Sequence, residues 1–387
     1  MKSILAIGVM SGSSLDGGDA VLLRLTPIRE GYRIRRLGHA HASYPPKWAD
    51  AARAIAEEDS LRDAAFFGAA WSEWAARLVR RLARQTRLRA SRIAFVAVHG
   101  QTVVHLPSPR MFLGEKVGVT IQLADLSRLA VRTGIKAIGN FRTADLAAGG
   151  SGAPLAPYAH RLVFGRLALN VAVQNMGGIG NVTLLNKGKV ESAFDTGPGN
   201  VWIDTLFHWR SGGRTRFDRN GATARSGRPD PHLLSQLLQH PYFQKRPPKS
   251  AGWEEFGPMF LGRFRSRLNR LSLRDAAATV THATAIATRL AYERFVFPRL
   301  RPKLLIFCGG GARNLFLTEL IARNLSGVKA VTSDTFGYPA EEVEAISFAL
   351  LGAETLRGHA NNEPRATGAK SRVVCGLVAP ATGGSIA

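Results

Sequence analysis

Cysteine is scarce in this chain: Cys308 and Cys375 are the two in 387 residues, and neither belongs to a CxxC pair. That excludes a disulfide scaffold and a thiolate zinc site, and it suits a reducing compartment. Long apolar runs are lacking too, since no stretch approaches the roughly 20 apolar residues of a membrane span. Lys2 and the apolar residues 4–10 imitate a short signal sequence. A turn and a second apolar run at 20–25 follow directly where a cleavage site would stand, so the segment reads as a buried strand. No GxxxxGK[ST] loop occurs, which removes a Walker-type phosphate site. Acidic side chains are the deficient charge, with 28 Asp and Glu against 52 Lys and Arg for a net +24. Such a balance raises nucleic acid, an anionic membrane surface or acidic substrates as partners. The basic residues are scattered, however, with clusters at 77–84 and 263–270 in helix-like stretches, no basic tail and no interleaved aromatic platform. The reading is a solvated, Arg-rich surface with only weak, nonspecific attraction to nucleic acid.

What is present is a chain long enough, and apolar enough at 45%, to bury a large core in two or three domains. Residues 4–9 and 20–25 read as strands flanking Ser11, Gly12, Ser13, Ser14, Leu15, Asp16, Gly17, Gly18 and Asp19, a hairpin whose tip is built for close approach. Helical spacing over 47–88 leads to a strand at 93–98, closed by His99, Gly100, Gln101 and Thr102. A helix at 123–133, a strand at 135–138 and a glycine-rich loop at 149–154 come next. The second half starts the same way, with apolar 167–173, a turn at Gly177, Gly178, Ile179, Gly180 and Asn181, and apolar 182–185. Residues 211–258 are polar and rich in Pro and Gly, and are expected at the surface or over a cleft. A helix at 276–294, a strand at 304–307 running into Gly309, Gly310, Gly311, Ala312 and Arg313, a strand at 330–332 and a helix at 341–356 complete the chain. Alternating strands and helices predict two related α/β halves, 1–167 and 168–387, the final helix being placed to pack back on the first half.

Glycine and serine at a hairpin tip let backbone N–H groups point at phosphate oxygens, because no Cβ blocks the approach. The tip at 11–19 fits that reading and also that of an ordinary tight turn. A carboxylate there would repel phosphate directly, so the functional reading of Asp16 or Asp19 is to hold Mg²⁺, through water, beside a nucleotide. The turn at 177–181 repeats the logic, and the repetition favours a triphosphate clamp. Gly309, Gly310 and Gly311 suit close packing against an adenine or ribose ring, or else serve as a tight strand-to-helix connection. Asp195, in a Thr/Gly/Pro/Gly turn, is either a general base or an Asx-turn or helix N-cap. His99 and His105 flank a Gln-Thr pair and either bind sugar hydroxyls or are structural.

Together these segments resemble the anhydro-N-acetylmuramic acid kinase family, a branch of the hexokinase, actin and heat-shock-chaperone ATPase fold. The likeness runs nearly end to end. It is carried by Gly8-Val9-Met10-Ser11-Gly12-Ser13-Ser14-Leu15-Asp16-Gly17, His99-Gly100-Gln101-Thr102, Phe141-Arg142, Gly177-Gly178-Ile179 with Asn181, Phe194-Asp195-Thr196-Gly197-Pro198-Gly199-Asn200, Pro248-Lys249-Ser250 and Cys308-Gly309-Gly310-Gly311-Ala312-Arg313-Asn314. The resemblance implies an α/β, two-domain, actin-like ATPase (ribonuclease H-like) fold with an interdomain nucleotide and substrate cleft. It also implies a cytoplasmic enzyme using ATP and Mg²⁺. Water would open the anhydro bridge of 1,6-anhydro-N-acetylmuramic acid, and the freed O6 would take the γ-phosphate. By this likeness Asp195 is the base, residues 11–19 and 177–181 hold the phosphates, and residues 309–313 lie near the nucleoside. His99, Gln101, Arg142 and Glu344 surround the sugar, where an Arg fork would pair with its lactyl carboxylate. A homodimer is a family-level expectation. Four positions depart from the family pattern: Ser13 for Thr, Asn140 for Asp, Gly180 for Ala and Trp253 for Arg. They bear on the sugar pocket and its substrate preference. Another sugar kinase of the same fold, or an ATPase that changes shape without phosphorylating a sugar, are the alternatives to be separated.

Overall fold

The computed structural model describes residues 2–12, 15–58 and 60–381. Its strands are β1 Ile4–Met10, β2 Gly17–Pro27, β3 Tyr32–Ser43, β4 Phe95–Val98, β5 Gln101–Phe112, β6 Glu115–Leu123, β7 Ala137–Gly139, β8 Val171–Met176, β9 Ile179–Asn186, β10 Lys189–Pro198, β11 Leu304–Cys308, β12 Lys329–Thr332 and β13 Leu377–Ala379. The chain groups into two compact units, Met1–Val163 with Glu342–Ala387 and Phe164–Glu341. The residues from Glu342 on group by their contacts with unit 1, the half onto which the final helix of the second half was expected to pack back.

In unit 1 the sheet order is β13-β7-β4-β1-β2-β3. Strands β1, β2 and β3 form an antiparallel meander, while β4 and β7 extend the sheet in parallel beyond β1. Unit 2 repeats the plan: β8, β9 and β10 meander, and β11 and β12 extend the sheet in parallel beyond β8. This duplicated arrangement is the ribonuclease H-like topology of the actin-like ATPases. Strands covered on both faces read as continuous apolar runs, and β4 and β11 are buried at every position.

The layers around β1 follow from sequence spacing. The helix Leu61–Gln85 turns Phe67, Trp71, Trp74, Leu78 and Leu82 inward at helical intervals, and its N-cap Ser60 accepts the Asp63 amide. The helix Val343–Leu356 lies so close to β1 that a Cβ on Gly8 would come within 1.9 Å of the Ala345 carbonyl oxygen. In unit 2 the alanine-rich helix Leu273–Ala291 packs against the helix Val201–Arg210 and β10.

Two sequence expectations are corrected. Residues 101–123, expected to hold only the close of a strand ahead of the helix at 123–133, fold into a long antiparallel ribbon of β5 and β6, and the helix follows at Leu126–Thr133. The turn of the ribbon uses positive φ at Leu113 (49°) and Gly114 (87°), and Pro107 and Pro109 hid the strand. Residues 211–258 are not a loose cover. Their Leu233, Leu237, Tyr242, Phe243 and Phe256 are buried in the unit 2 core with Trp202, because short helices turn one apolar face inward.

Candidate active site

Several of the residues singled out from sequence follow the carboxyl ends of strands in the parallel part of each sheet, where open α/β sheets place their ligands, while Asp195 and Asn181 lie on the antiparallel strands β10 and β9. In unit 1, Ser11 follows β1, His99 follows β4, and Arg142 lies shortly after β7. Ser11 is buried and its hydroxyl donates to the Gly100 carbonyl oxygen at 3.1 Å, tying the β1 turn to the β4 turn. Nε and one terminal nitrogen of Arg142 donate to Nε2 of His99 at 3.2 and 2.9 Å. Nε2 therefore carries no proton, and the ring is neutral with hydrogen on Nδ1. Burial, reinforced by the Arg142 charge, pushes His99 down to about 3. Its Nδ1 faces the backbone of Gly100 and Ser11 without closing a hydrogen bond.

His105 is the complementary case. Thr120 spends its hydroxyl proton on the Val104 carbonyl at 3.2 Å, so His105 Nδ1 donates to Thr120 Oγ1 at 3.0 Å and Nε2 bears a lone pair. Burial pushes His105 down to about 4, and the Arg142 charge adds to this. Its Nε2 is buried with no hydrogen-bond partner, as is the Thr102 hydroxyl. One segment thus holds a buried donor, a buried acceptor and a buried hydroxyl, all unsatisfied, beside an arginine. Such a set is costly unless a polar ligand meets it. The Gln101 amide oxygen accepts the Tyr44 hydroxyl at 2.7 Å, and Tyr44 in turn accepts Trp71 Nε1 at 2.9 Å, which fixes the amide. Tyr44 could not have been found from spacing, since it lies on a different segment. Glu344 sits half-buried in the first turn of the helix Val343–Leu356.

The hairpin tip divides by role. Ser13 and Ser14 lie outside the described residues. Gly12 and Leu15 lie on the turn, Leu15 at φ 55°. Gly17 and Gly18 belong to β2, where added Cβ atoms would meet the Ala42 carbonyl at 2.2 Å and the Met10 carbonyl at 2.6 Å, so close packing within the sheet accounts for both glycines. Asp16 is exposed. Asp19 accepts from His39 Nε2 at 2.8 Å and His41 Nδ1 at 3.1 Å. Burial, which would raise it, is outweighed by these bonds, so the Asp19 carboxyl lies below its usual range.

In unit 2 strand register aligns the site. Asp195 on β10 pairs with Asn181 on β9, Asn181 with Asn175 on β8, and Asn175 with Cys308 at the end of β11. Directly opposed residues share a face, so Asp195, Asn181 and Asn175 form a polar row that ends beside Gly309. Gly309 has φ 82° and ψ 164°, and a Cβ there would lie 2.2 Å from Asn175 Oδ1. Gly311 is crowded by Asn200 Nδ2 at 2.3 Å, whereas a Cβ on Gly310 would meet nothing within 4 Å. Gly177 and Gly178 carry the turn onto the next helix, their carbonyls accepting Asn200 N and Gly199 N at 2.8 Å. Arg313 is held away from an isolated role by Glu341 at 2.6 Å and Asp334 at 3.1 Å. Asp195 is half-buried, and its Oδ2 accepts the Ala251 amide at 2.8 Å. It is not the N-cap of Val201–Arg210, a position Asn200 takes.

The chain matches the family model for anhydro-N-acetylmuramic acid kinase over residues 4–381. It is 34% identical to the enzyme of that name from Caldanaerobacter subterraneus subsp. tengcongensis over 97% of this chain and 96% of the relative. For the Variovorax paradoxus protein of the same name the figures are 39%, 98% and 100%. This chain belongs to the anhydro-N-acetylmuramic acid kinase family. Two of its departures from the usual pattern have local reasons. In this anhydro-N-acetylmuramic acid kinase family member, a Cβ on Gly180 would press on Thr196 Oγ1 at 3.0 Å, and Asn140 adopts φ 57° while accepting the Thr143 hydroxyl at 2.9 Å. Trp253 packs partly buried on the unit 2 core.

The donors fit a cation that arrives with a nucleotide better than a resident metal. Among the described residues no group of three or more His, Cys, Asp or Glu side chains could hold a metal ion. Mg²⁺ keeps several waters and is bound through one or two carboxylates plus phosphates. Asp16, which is exposed, and Asp19, which accepts from two histidines, are the carboxylates of the 11–19 turn. No helix among the described residues is long and apolar enough to cross a membrane.

Proposed function

We propose that the protein is an ATP-dependent kinase that hydrolytically opens 1,6-anhydro-N-acetylmuramic acid and phosphorylates O6, giving N-acetylmuramic acid 6-phosphate and ADP in peptidoglycan recycling. Asp195 takes a proton from water as the water oxygen bonds to the anomeric carbon. The bond from that carbon to O6 breaks, O6 attacks the γ-phosphorus, and ADP leaves with the bridging electron pair. The proton on Asp195 passes to solvent.

The observation carrying this reading is the polar row of Asp195, Asn181 and Asn175 ending beside Gly309, because it puts a gripped carboxylate and a backbone that only glycine can supply at the two ends of one strip across the sheet. His99, Gln101, Arg142 and Glu344 bind the sugar: Arg142 takes the lactyl carboxylate, and the His99 donor and His105 acceptor take its neutral polar groups. The turns at 11–19 and 177–181 hold the phosphates, with Gly310 near the nucleoside. Mg²⁺, when bound, offsets phosphate charge, and Asp16 would hold it through water. Two free, buried cysteines suit a cytoplasmic protein. Sugar and ATP are its partners, with no specific nucleic acid and no membrane, and we expect a homodimer.

The test is mass spectrometry of the product formed from ATP, Mg²⁺ and anhydro sugar in ¹⁸O-labelled water. Phosphorylated sugar carrying label at the anomeric carbon is expected, with a loss of about 10²–10⁴-fold in Asp195→Asn. Absence of phosphorylated sugar would sink the substrate assignment.

A further inference from the structure

The segment after Pro248 is built around Asp195 more closely than its sequence suggested. Asp195 donates its backbone N–H to the Lys249 carbonyl at 3.2 Å, and the Ala251 N–H two residues on reaches Asp195 Oδ2 at 2.8 Å. The Tyr242 hydroxyl donates to the Asp195 carbonyl at 2.9 Å. The main chain and the carboxylate of Asp195 are thus gripped from one side by residues 242–251.

Lys249 closes this grip. Its Nζ lies 4.4 Å from the Tyr242 ring centre, 4.6 Å from Phe295 and 5.8 Å from Phe194, and donates to the Tyr242 carbonyl at 3.3 Å. A half-buried ammonium among three rings is held by their negative faces and stripped of much of its water. The charged groups facing it are Asp195 on β10, Arg294 on the turn Tyr292–Val296, and Lys245, itself paired with Glu255 at 2.7 Å. Burial pushes Lys249 down to about 8. The Asp195 charge opposes that shift, and Arg294 and Lys245 add to it.

We propose that Lys249 is a positioning residue for the Asp195 carboxylate: the ammonium, caged by Tyr242, Phe295 and Phe194, pins the segment whose amide grips Oδ2, and supplies the positive charge that keeps Asp195 ionised. This rests on the reading of Asp195 as the base.

The pH profile of kcat separates this from simple packing. In the wild-type protein kcat falls on the alkaline side near pH 8, as the ammonium is lost. Lys249→Arg, which does not titrate there, keeps its rate to beyond pH 9. Lys249→Met preserves length and ring packing without charge, so kcat falls at least about tenfold with KM for sugar and ATP little changed, and the acid limb moves to higher pH. An acid limb unmoved in folded Lys249→Met, or an alkaline limb retained in Lys249→Arg, overturns the proposal. If Lys249→Met does not fold, the arginine comparison decides alone. Asp195→Asn separates the two readings. Turnover kept within tenfold removes the base assignment and this role with it, whereas an inactive Asp195→Asn beside Lys249 variants that behave as wild type removes only the role of Lys249.

Discussion

Arg142 and His99 are locked together by two guanidinium N–H groups that share one imidazole lone pair, at 2.9 and 3.2 Å. The arrangement tolerates only a neutral histidine, and it orients the guanidinium before any ligand arrives. Lysine cannot reproduce it, because an ammonium is a point charge without a fork. Arg142→Lys should therefore raise KM for the sugar about 10–100-fold and leave KM for ATP within about twofold. Initial-rate kinetics with each substrate varied in turn checks this, and an equal rise in both would remove Arg142 from the sugar site.

Much of this was legible in the sequence, for identifiable reasons. Strands β1, β4, β8 and β11 are buried runs bounded by glycine, and the glycines and polar residues that end them mark the loops that carry the proposed site. What escaped was long-range partnership. Nothing in local spacing ties Tyr44 to Gln101, or Ala251 to Asp195, because each pair meets only through the fold. The β5–β6 ribbon escaped because proline is a poor strand former, and the ribbon accommodates Pro107 and Pro109 where its register is irregular, between Leu106 and Arg110. Gly17 and Gly18 read as phosphate-binding glycines, but tight sheet packing already demands them.

The glycines after β11 give an internally controlled test. Gly309 sits in a backbone region that is essentially glycine-only, and its added Cβ would strike Asn175, so Gly309→Ala should cost about 1–3 kcal/mol of stability. Gly310→Ala meets open space and should melt within a degree or two of wild type. If the nucleoside packs on this loop, the same Gly310→Ala raises KM for ATP about tenfold, a loss of ~1.4 kcal/mol. Thermal melts of both variants, with ATP kinetics on the second, decide it. A stable Gly310→Ala with wild-type ATP kinetics would remove that residue from the nucleotide site.

Tyr242 tests the grip on Asp195 from a side that carries no charge at working pH. Burial, with the charges of Asp195 and Glu255, pushes its hydroxyl far above the usual range, so it acts only as a donor to the Asp195 carbonyl. Tyr242→Phe keeps the ring in the core and removes one hydrogen bond, costing about 0.5–1.5 kcal/mol of stability. It should lower kcat several-fold without moving the acid limb of the pH profile, in contrast to Lys249→Met. Denaturant melts and a pH series on the same preparation distinguish these effects, and a shifted acid limb would contradict the assignment.

Acid should weaken the fold through its buried histidines. His99 and His160 are 5% and 1% exposed, and burial holds them down to about 3 and about 4. The unfolded chain takes up protons on both near pH 6.5, while the folded chain does not until much lower. The unfolded state then binds more protons, so stability falls as pH drops below 6.5 and keeps falling toward the folded values. Each histidine contributes a slope that starts near half of about 1.4 kcal/mol per pH unit at pH 6.5 and approaches that full value below, so the pair costs roughly 3 kcal/mol between pH 6.5 and 5. Carboxylates such as Asp19, held below their usual range, add losses of the same sign only nearer pH 4. Urea melts at half-unit steps from pH 7 to 5 should show the decline. In His160→Gln the slope should be shallower by about one proton's worth, whatever the variant does to absolute stability. A slope unchanged in that variant would mean His160 is protonated in the folded protein, contrary to the burial described here.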